Sequence, residues 1–117
     1  MPTRNQKYAS SAYAHISNVA KESREKKDKY KTMADKLPVL IHTAGLAQAL
    51  AFANAKNGAF LLEDLAKTLN TNTNKDDLLK QSREANLAEY MKLTKDVLDA
   101  LSWYKRLSQS LLTDNDN

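Results

Sequence analysis

The sequence predicts an all-α fold, a compact bundle of about five helices in a single domain over residues 1–117. Glycine and proline occur only twice each, whereas a β-sandwich or barrel needs turn residues about every 8–12 positions. Apolar residues instead recur at three- and four-residue steps, the period of an amphipathic helix. With 42% hydrophobic and 27% charged residues, the composition is that of a folded globular protein and not of a disordered chain.

The first predicted helix is long and runs from about Thr3 to Lys36. No glycine or proline interrupts this range, and a helix of this length spans about 50 Å. Pro38 suits the first turn of a following helix and disfavours helical geometry at Leu37, so we expect one helix to end and the next to begin there. The apolar stripe of the first helix has a polar gap at 23–27 and consists of Tyr8, Ala12, Ile16, Val19, Tyr30, Met33 and Leu37.

The second predicted helix, at about 38–56, is apolar on every side, which is typical of the buried centre of a bundle. Gly45 inside it costs about 1 kcal/mol relative to alanine, so we expect a close helix crossing at this residue. Asn57 and Gly58 have the residue types of a helix C-cap. A short amphipathic helix then follows, with its apolar residues at Phe60, Leu61, Leu65 and Leu69.

Two more helices are predicted after a polar loop at residues 70–74. Asn74 with Asp77, and Asn86 with Glu89, each combine an N-cap residue with an acidic residue three positions later. We therefore expect a short helix at 75–85 and a long one at 87–112, although the pattern also fits one continuous helix. The two long helices, 3–36 and 87–112, frame the buried one, and residues 113–117 are expected to fray.

Composition and motifs exclude several classes of function. The chain has no cysteine, which excludes disulfides and thiolate metal sites. It has no Gly-rich phosphate-binding motif, and neither histidine has a metal-ligand partner at helical spacing. His42 lies in the apolar second helix, where we expect a hydrogen-bonded interior side chain, and His15 also stands alone. We therefore expect no catalytic residue, no metal, no cofactor and no small-molecule substrate.

The sequence also carries signals of location and of partners. No apolar run reaches the length of about 18 residues that a membrane span needs, and the N-terminus lacks a signal-peptide core, so we expect a cytoplasmic protein without a membrane partner. Residues 1–36 hold nine basic and four acidic residues, whereas residues 37–117 hold nine and ten. A cationic first third suggests a polyanionic partner, although a lysine-rich solvated helix gives the same pattern.

Two sets of basic residues are candidates for contacts with nucleic acid. Arg24, Lys27 and Lys31 are spaced i, i+3 and i+7, which places them on one helix face where they can follow phosphates without reading bases. Ordinary solubility explains the same spacing equally well. The second set, Lys92, Lys95 and Arg106, lies on the side of the last helix away from its apolar stripe.

Trp103, the only tryptophan, lies on this same basic side of the last helix. Three interpretations remain open for it. It packs against a neighbouring helix of the bundle, it anchors a protein interface, where tryptophan is enriched, or it stacks on a base.

The chain resembles the small α-helical subunit of the type III-B CRISPR effector, the Cmr module. The resemblance rests on the stretch Leu37–Ile41 (LPVLI), the stretch Gly45–Phe52 (GLAQALAF) and the run Trp103–Arg106 (WYKR), together with Tyr30, Tyr90 and Thr94. It extends loosely from the first helix to about Leu112. In the last run, tyrosine occupies a position that is often aliphatic in the family.

The resemblance implies a non-catalytic structural role in an antiviral, RNA-guided complex. Several copies of this subunit stack beside the subunits that hold the CRISPR RNA and help form the target-RNA channel, while base pairing supplies sequence specificity. Its expected partners are other effector subunits, further copies of itself, and guide and target RNA. Lys105 and Arg106 are the matching positions that would contact RNA or another subunit. The alternative is a stand-alone helical nucleic-acid-binding protein.

Overall fold

The computed structural model describes residues 3–70 and 72–112, and these form six α-helices without a β-strand. The all-α prediction is confirmed, with six helices instead of about five. The helices are α1 (Arg4–Val19), α2 (Arg24–Ala44), α3 (Leu46–Ala55), α4 (Ala59–Leu69), α5 (Lys75–Glu84) and α6 (Leu87–Leu111). Side chains from all six helices meet in one apolar cluster. None of the described helices is long and apolar enough to cross a membrane.

The predicted long helix at 3–36 is wrong, because the chain turns between α1 and α2. The amide of Glu22 donates to the carbonyl of Val19 across 2.9 Å, and Ser23 Oγ accepts from the amide of Lys26 across 3.3 Å. No buried residue lies between Ile16 and Tyr30, so packing does not hold this stretch in one straight helix. Ser23 then acts as the N-cap of a new helix, α2.

The predicted helix boundary at Pro38 is also wrong. Pro38 lies inside α2, between Leu37 and Ile41, which are 0% and 4% exposed. Burial on both sides of the proline outweighs the one backbone hydrogen bond that it cannot donate. The boundary lies at Gly45, which caps the end of α2 and the start of α3 at a φ of +89°. Glycine is needed there for its backbone conformation, and an added Cβ would also lie 3.3 Å from Tyr90 Oη of α6.

The buried helix predicted at 38–56 is therefore divided between α2 and α3, and it is not buried on every side. Leu46 and Leu50 are fully buried, whereas Val39 is 59% exposed and Phe52 is 40% exposed. Apolar character on all sides of this stretch thus does not produce burial on all sides, because α3 packs against its neighbours through one face only.

The predicted end of this segment is confirmed. Asn57 has a φ of +74°, and the amide of Gly58 donates across 2.7 Å to the carbonyl of Ala53. These are features of a Schellman-type helix end. A side chain at position 58 would come within 2.5 Å of that same carbonyl oxygen, which explains the glycine.

The last two helices are separate, and each begins with the predicted cap. Asn74 and Asp77 bond each other's backbone amides, as do Asn86 and Glu89, so both helices start with a capping box. Ala85 between them has an extended backbone. The helix ends fall one residue before the predicted ones, and the predicted fraying of 113–117 lies outside the described residues.

Candidate nucleic-acid interface

The first candidate surface lies along α2 and is called here the α2 row, consisting of Arg24, Lys27 and Lys31. Arg24 is the first residue of α2 and is exposed, whereas the two lysines are half-buried beside the apolar stripe. Neither Lys27 nor Lys31 forms an ion pair within residues 3–70 and 72–112. The structure therefore brings the row together on one helix, with two ammonium groups available to an anion.

The second candidate surface lies along α6 and is called here the α6 face, consisting of Lys92, Lys95 and Arg106. Lys105 comes 13 residues after Lys92 and is turned about 140° away from it, so it lies on another side of the helix. The two lysines of the α6 face are paired with acids one helical turn later. Lys92 Nζ lies 2.8 Å from Asp96 Oδ2, and Lys95 Nζ lies 2.9 Å from Asp99 Oδ2. These carboxylates reduce the positive potential that the lysines present to a polyanion.

Arg4 on α1 binds the same two carboxylates. Its guanidinium lies 2.6 Å from Asp96 Oδ1 and 2.9 Å from Asp99 Oδ2, so three cations share two acids. Asp96 is the more buried of the two acids, with 14% of its side chain exposed. This network was not predicted from the sequence, although acids four residues after Lys92 and Lys95 indicate its α6 half.

Trp103 faces the start of α1. Its indole Nε1 donates across 2.8 Å to Asn5 Oδ1, and the Arg106 guanidinium lies 5.5 Å from the centre of its ring. Its side chain is half-buried against the core. The structure thus gives Trp103 a partner on a neighbouring helix, and its role in an interface between proteins stays a prediction. Lys105 is half-buried and Arg106 is exposed.

Almost the whole chain matches one protein family. The family model Cas_Cmr5, described as a CRISPR-associated protein, matches residues 4–111. The chain belongs to the Cas_Cmr5 family.

Relatives of this Cmr5-family chain cover nearly its full length. The CRISPR system Cmr subunit Cmr5 of Thermus thermophilus is 41% identical over 115 residues, which are 96% of this chain and 98% of the relative. The crystal structure of a CRISPR-associated Cmr5 family protein, also from Thermus thermophilus, has a TM-score of 0.89 and 40% identity, with 97% of this chain and 100% of that chain covered. The resemblance seen in the sequence is confirmed.

The histidines of this Cmr5-family chain differ from their predicted roles. His42 is exposed, so its prediction as a hydrogen-bonded interior residue is wrong. It follows the buried Ile41 on α2, and about 100° of helix rotation turns it towards solvent. His15 has the internal role instead, because its Nδ1 lies 2.7 Å from Tyr104 Oη. Among the described residues, no group of three or more histidines and acids is arranged to hold a metal ion.

A polar network behind His15 connects α1, α4 and α6. Tyr104 Oη also lies 2.7 Å from Thr68 Oγ1, which lies 2.7 Å from Ser11 Oγ. Burial raises the pKa of Tyr104. Beside it, Tyr30 donates to Asp64 Oδ2 across 2.8 Å, and burial raises the pKa of this carboxyl although the hydrogen bond acts in the opposite direction. The network satisfies polar groups inside the bundle and fixes how its helices pack.

Proposed function

We propose that this chain is a non-catalytic structural subunit of an RNA-guided type III-B effector complex. In this proposal several copies stack along the CRISPR RNA in the cytoplasm and help form the channel for target RNA. The observation that carries the proposal is family membership over nearly the whole chain, since the relative from Thermus thermophilus is itself a subunit of a Cmr system. Sequence recognition would come from guide–target pairing, and this chain would supply a charged surface.

The α2 row is the surface that we assign to RNA. Lys27 and Lys31 lie one helical turn apart without an ion-pair partner among the described residues, so their charge is not already neutralised. A single exposed cation interacts weakly with phosphate, because salt screens it over about 8–10 Å. Stacked copies would align their rows into one strip, in which each further contact forms at high effective concentration.

In this proposal the α6 face contributes less to RNA binding than the α2 row does. Lys92 and Lys95 would have to leave Asp96 and Asp99 in order to bind phosphate, which offsets part of the attraction. Lys105 and Arg106 lie farther along α6, beyond this network, and are proposed to contact RNA or, with Trp103, a neighbouring subunit.

Charge reversal of the α2 row in the reconstituted complex tests this assignment. The triple variant Arg24→Glu, Lys27→Glu and Lys31→Glu should still assemble and bind target RNA more weakly, and the like charges that it places one turn apart on α2 should lower the melting temperature by only a few degrees. For three lost phosphate contacts, the slope of log K against log salt should fall by about 2 per copy. The chain alone should leave RNA uncut with or without divalent metal.

The matched control reverses Lys7, Lys67 and Lys80, which are exposed and change the net charge equally. This control should keep most of the RNA affinity and the wild-type salt slope. If the α2-row variant keeps the wild-type affinity and salt slope, the row does not contact RNA and is only a solvated surface. Failure of that variant to assemble would make the row a contact between proteins.

A further inference from the structure

A basic cleft lies between α2 and the C-terminal end of α3. It has a volume of about 340 Å³. Its lysines, one threonine and one aromatic ring come from both helices, three of them from α2 and two from the end of α3. These five residues are Lys29, Thr32, Lys36, Phe52 and Lys56. Asp28 is the one acidic side chain among the described residues that line the cleft.

The cleft and the α2 row face different directions. Lys29, Thr32 and Lys36 are spaced i, i+3 and i+7, so they share one face of α2. At about 100° per residue, Lys29 is turned roughly 200° away from Lys31 of the α2 row. A nucleic-acid strand that lies in the cleft would therefore not contact the α2 row of the same protein copy.

The cleft has a positive charge that the protein itself does not neutralise. Lys36 and Lys56 form no ion pair with any residue in 3–70 or 72–112. Lys29 lies 3.3 Å from Glu25, but 47% and 77% of these two side chains are exposed, so the pair is weak. At least two ammonium groups of the cleft are thus available to a phosphate.

Phe52 adds an aromatic ring to this basic cleft, and 40% of the residue is exposed. A basic groove with exposed aromatic rings is the arrangement that proteins use for single strands, because lysines follow the phosphates while a base stacks on the ring. An acidic protein segment would need a larger apolar surface to anchor it. The cleft offers little apolar surface, because Met33, the other large apolar side chain in its lining, is only 5% exposed.

We propose that this cleft binds a short stretch of single-stranded nucleic acid, with phosphates at Lys36 and Lys56 and one base stacked on Phe52. This inference rests on the proposed function for the source of the RNA. It adds a contact that the α2 row does not make. A single copy of the chain contains the whole cleft, so binding can be measured before assembly.

The test titrates the full chain into a fluorescein-labelled oligouridylate of about twelve nucleotides at several salt concentrations. Lys36→Glu with Lys56→Glu should weaken binding and lower the salt slope by about 1.4, the value for two phosphate contacts on a single strand. Phe52→Leu retains apolar packing but lacks the ring, and it should weaken binding about fivefold at an unchanged salt slope. Phe52→Tyr restores a ring and should restore the affinity.

The matched control is Lys7→Glu with Lys67→Glu, which makes the same change of net charge at exposed positions outside the cleft. If this control loses as much affinity as the cleft pair and Phe52→Leu binds like wild type, only net charge matters and the inference is wrong. If the cleft variants bind the oligonucleotide normally but no longer enter the complex, the cleft binds a protein and the inference is equally wrong. Neither result affects the α2-row test, so the two proposals fail separately.

Discussion

The α2 row and the α6 face differ in the acidic residues that lie beside their cations. Lys92 and Lys95 each have an aspartate one turn later, and Arg4 reaches the same aspartates from α1. Lys27 and Lys31 form no ion pair within the described ranges 3–70 and 72–112. Asp35 lies one turn after Lys31, but its carboxylate accepts from Gln109 Nε2 across 3.3 Å instead. Two helix faces with similar numbers of basic residues thus present different potentials to a polyanion. The acids beside the cations, and not the number of cations alone, therefore determine the potential that each surface presents.

Reversing the charge of Arg4 should have the largest effect on stability among changes to the ion-pair network. Arg4→Glu removes two ion pairs and places a carboxylate beside Asp96 and Asp99, so we expect a loss of about 1–2 kcal/mol. Thermal unfolding at low and high salt measures this loss, which salt should reduce. Lys7→Glu makes the same charge change on the same helix and should alter stability little. If both variants unfold alike, the network does not stabilise the packing of α1 on α6.

Reversal of the two α6 lysines should cost about 1 kcal/mol, because Lys92→Glu with Lys95→Glu places like charges one turn before Asp96 and Asp99. The melting temperature should fall by about 4 °C. Target-RNA affinity of the assembled complex should change far less than with the α2-row variant. A larger loss of RNA affinity at an unchanged melting temperature would reverse the roles of the two surfaces.

Removing the carboxylates of Asp96 and Asp99 should produce the smallest of the three effects, which is a gain in affinity for single-stranded RNA. Asp96→Asn with Asp99→Asn frees three cations, so the isolated chain should bind single-stranded RNA about two- to threefold more tightly and with a steeper salt slope. Fluorescence anisotropy with a labelled oligonucleotide measures both quantities. Asp76→Asn with Glu84→Gln makes the same change of charge at exposed positions of α5 and serves as the control. Equal gains in the two variants would show that the pairing on α6 does not determine its affinity.

Features set by neighbours in the sequence were predictable, and those set by distant residues were not. The caps at Asn74, Asn86 and Asn57–Gly58 depend on side chains within a few positions, and all three are confirmed. The continuation of α2 through Pro38 depends on burial of its neighbours by other helices. No local pattern contains that information.

The candidate site shows the same limit. Periodicity placed the lysines of the α6 face on the correct helix, whereas it assigned the α2 row to a first helix at 3–36 that is divided into α1 and α2. The bond from Arg4 to Asp96 joins residues 92 positions apart, so no helical period predicts it. The exposure of Phe52 was missed because an apolar residue in an apolar stretch gives no sign of which side its helix leaves uncovered.

Gly45 fixes the geometry of the basic cleft with very few degrees of freedom. It is the single residue between α2 and α3, and it caps both helices. The cleft walls belong to these two helices, so their relative angle depends on essentially one pair of backbone dihedrals, with Tyr90 Oη close to where a side chain would be. In the proposed site, Lys36 and Phe52 would therefore need little ordering of the backbone when a strand binds. An L-residue at position 45 would change the spacing between cation and ring together with the stability of the bundle.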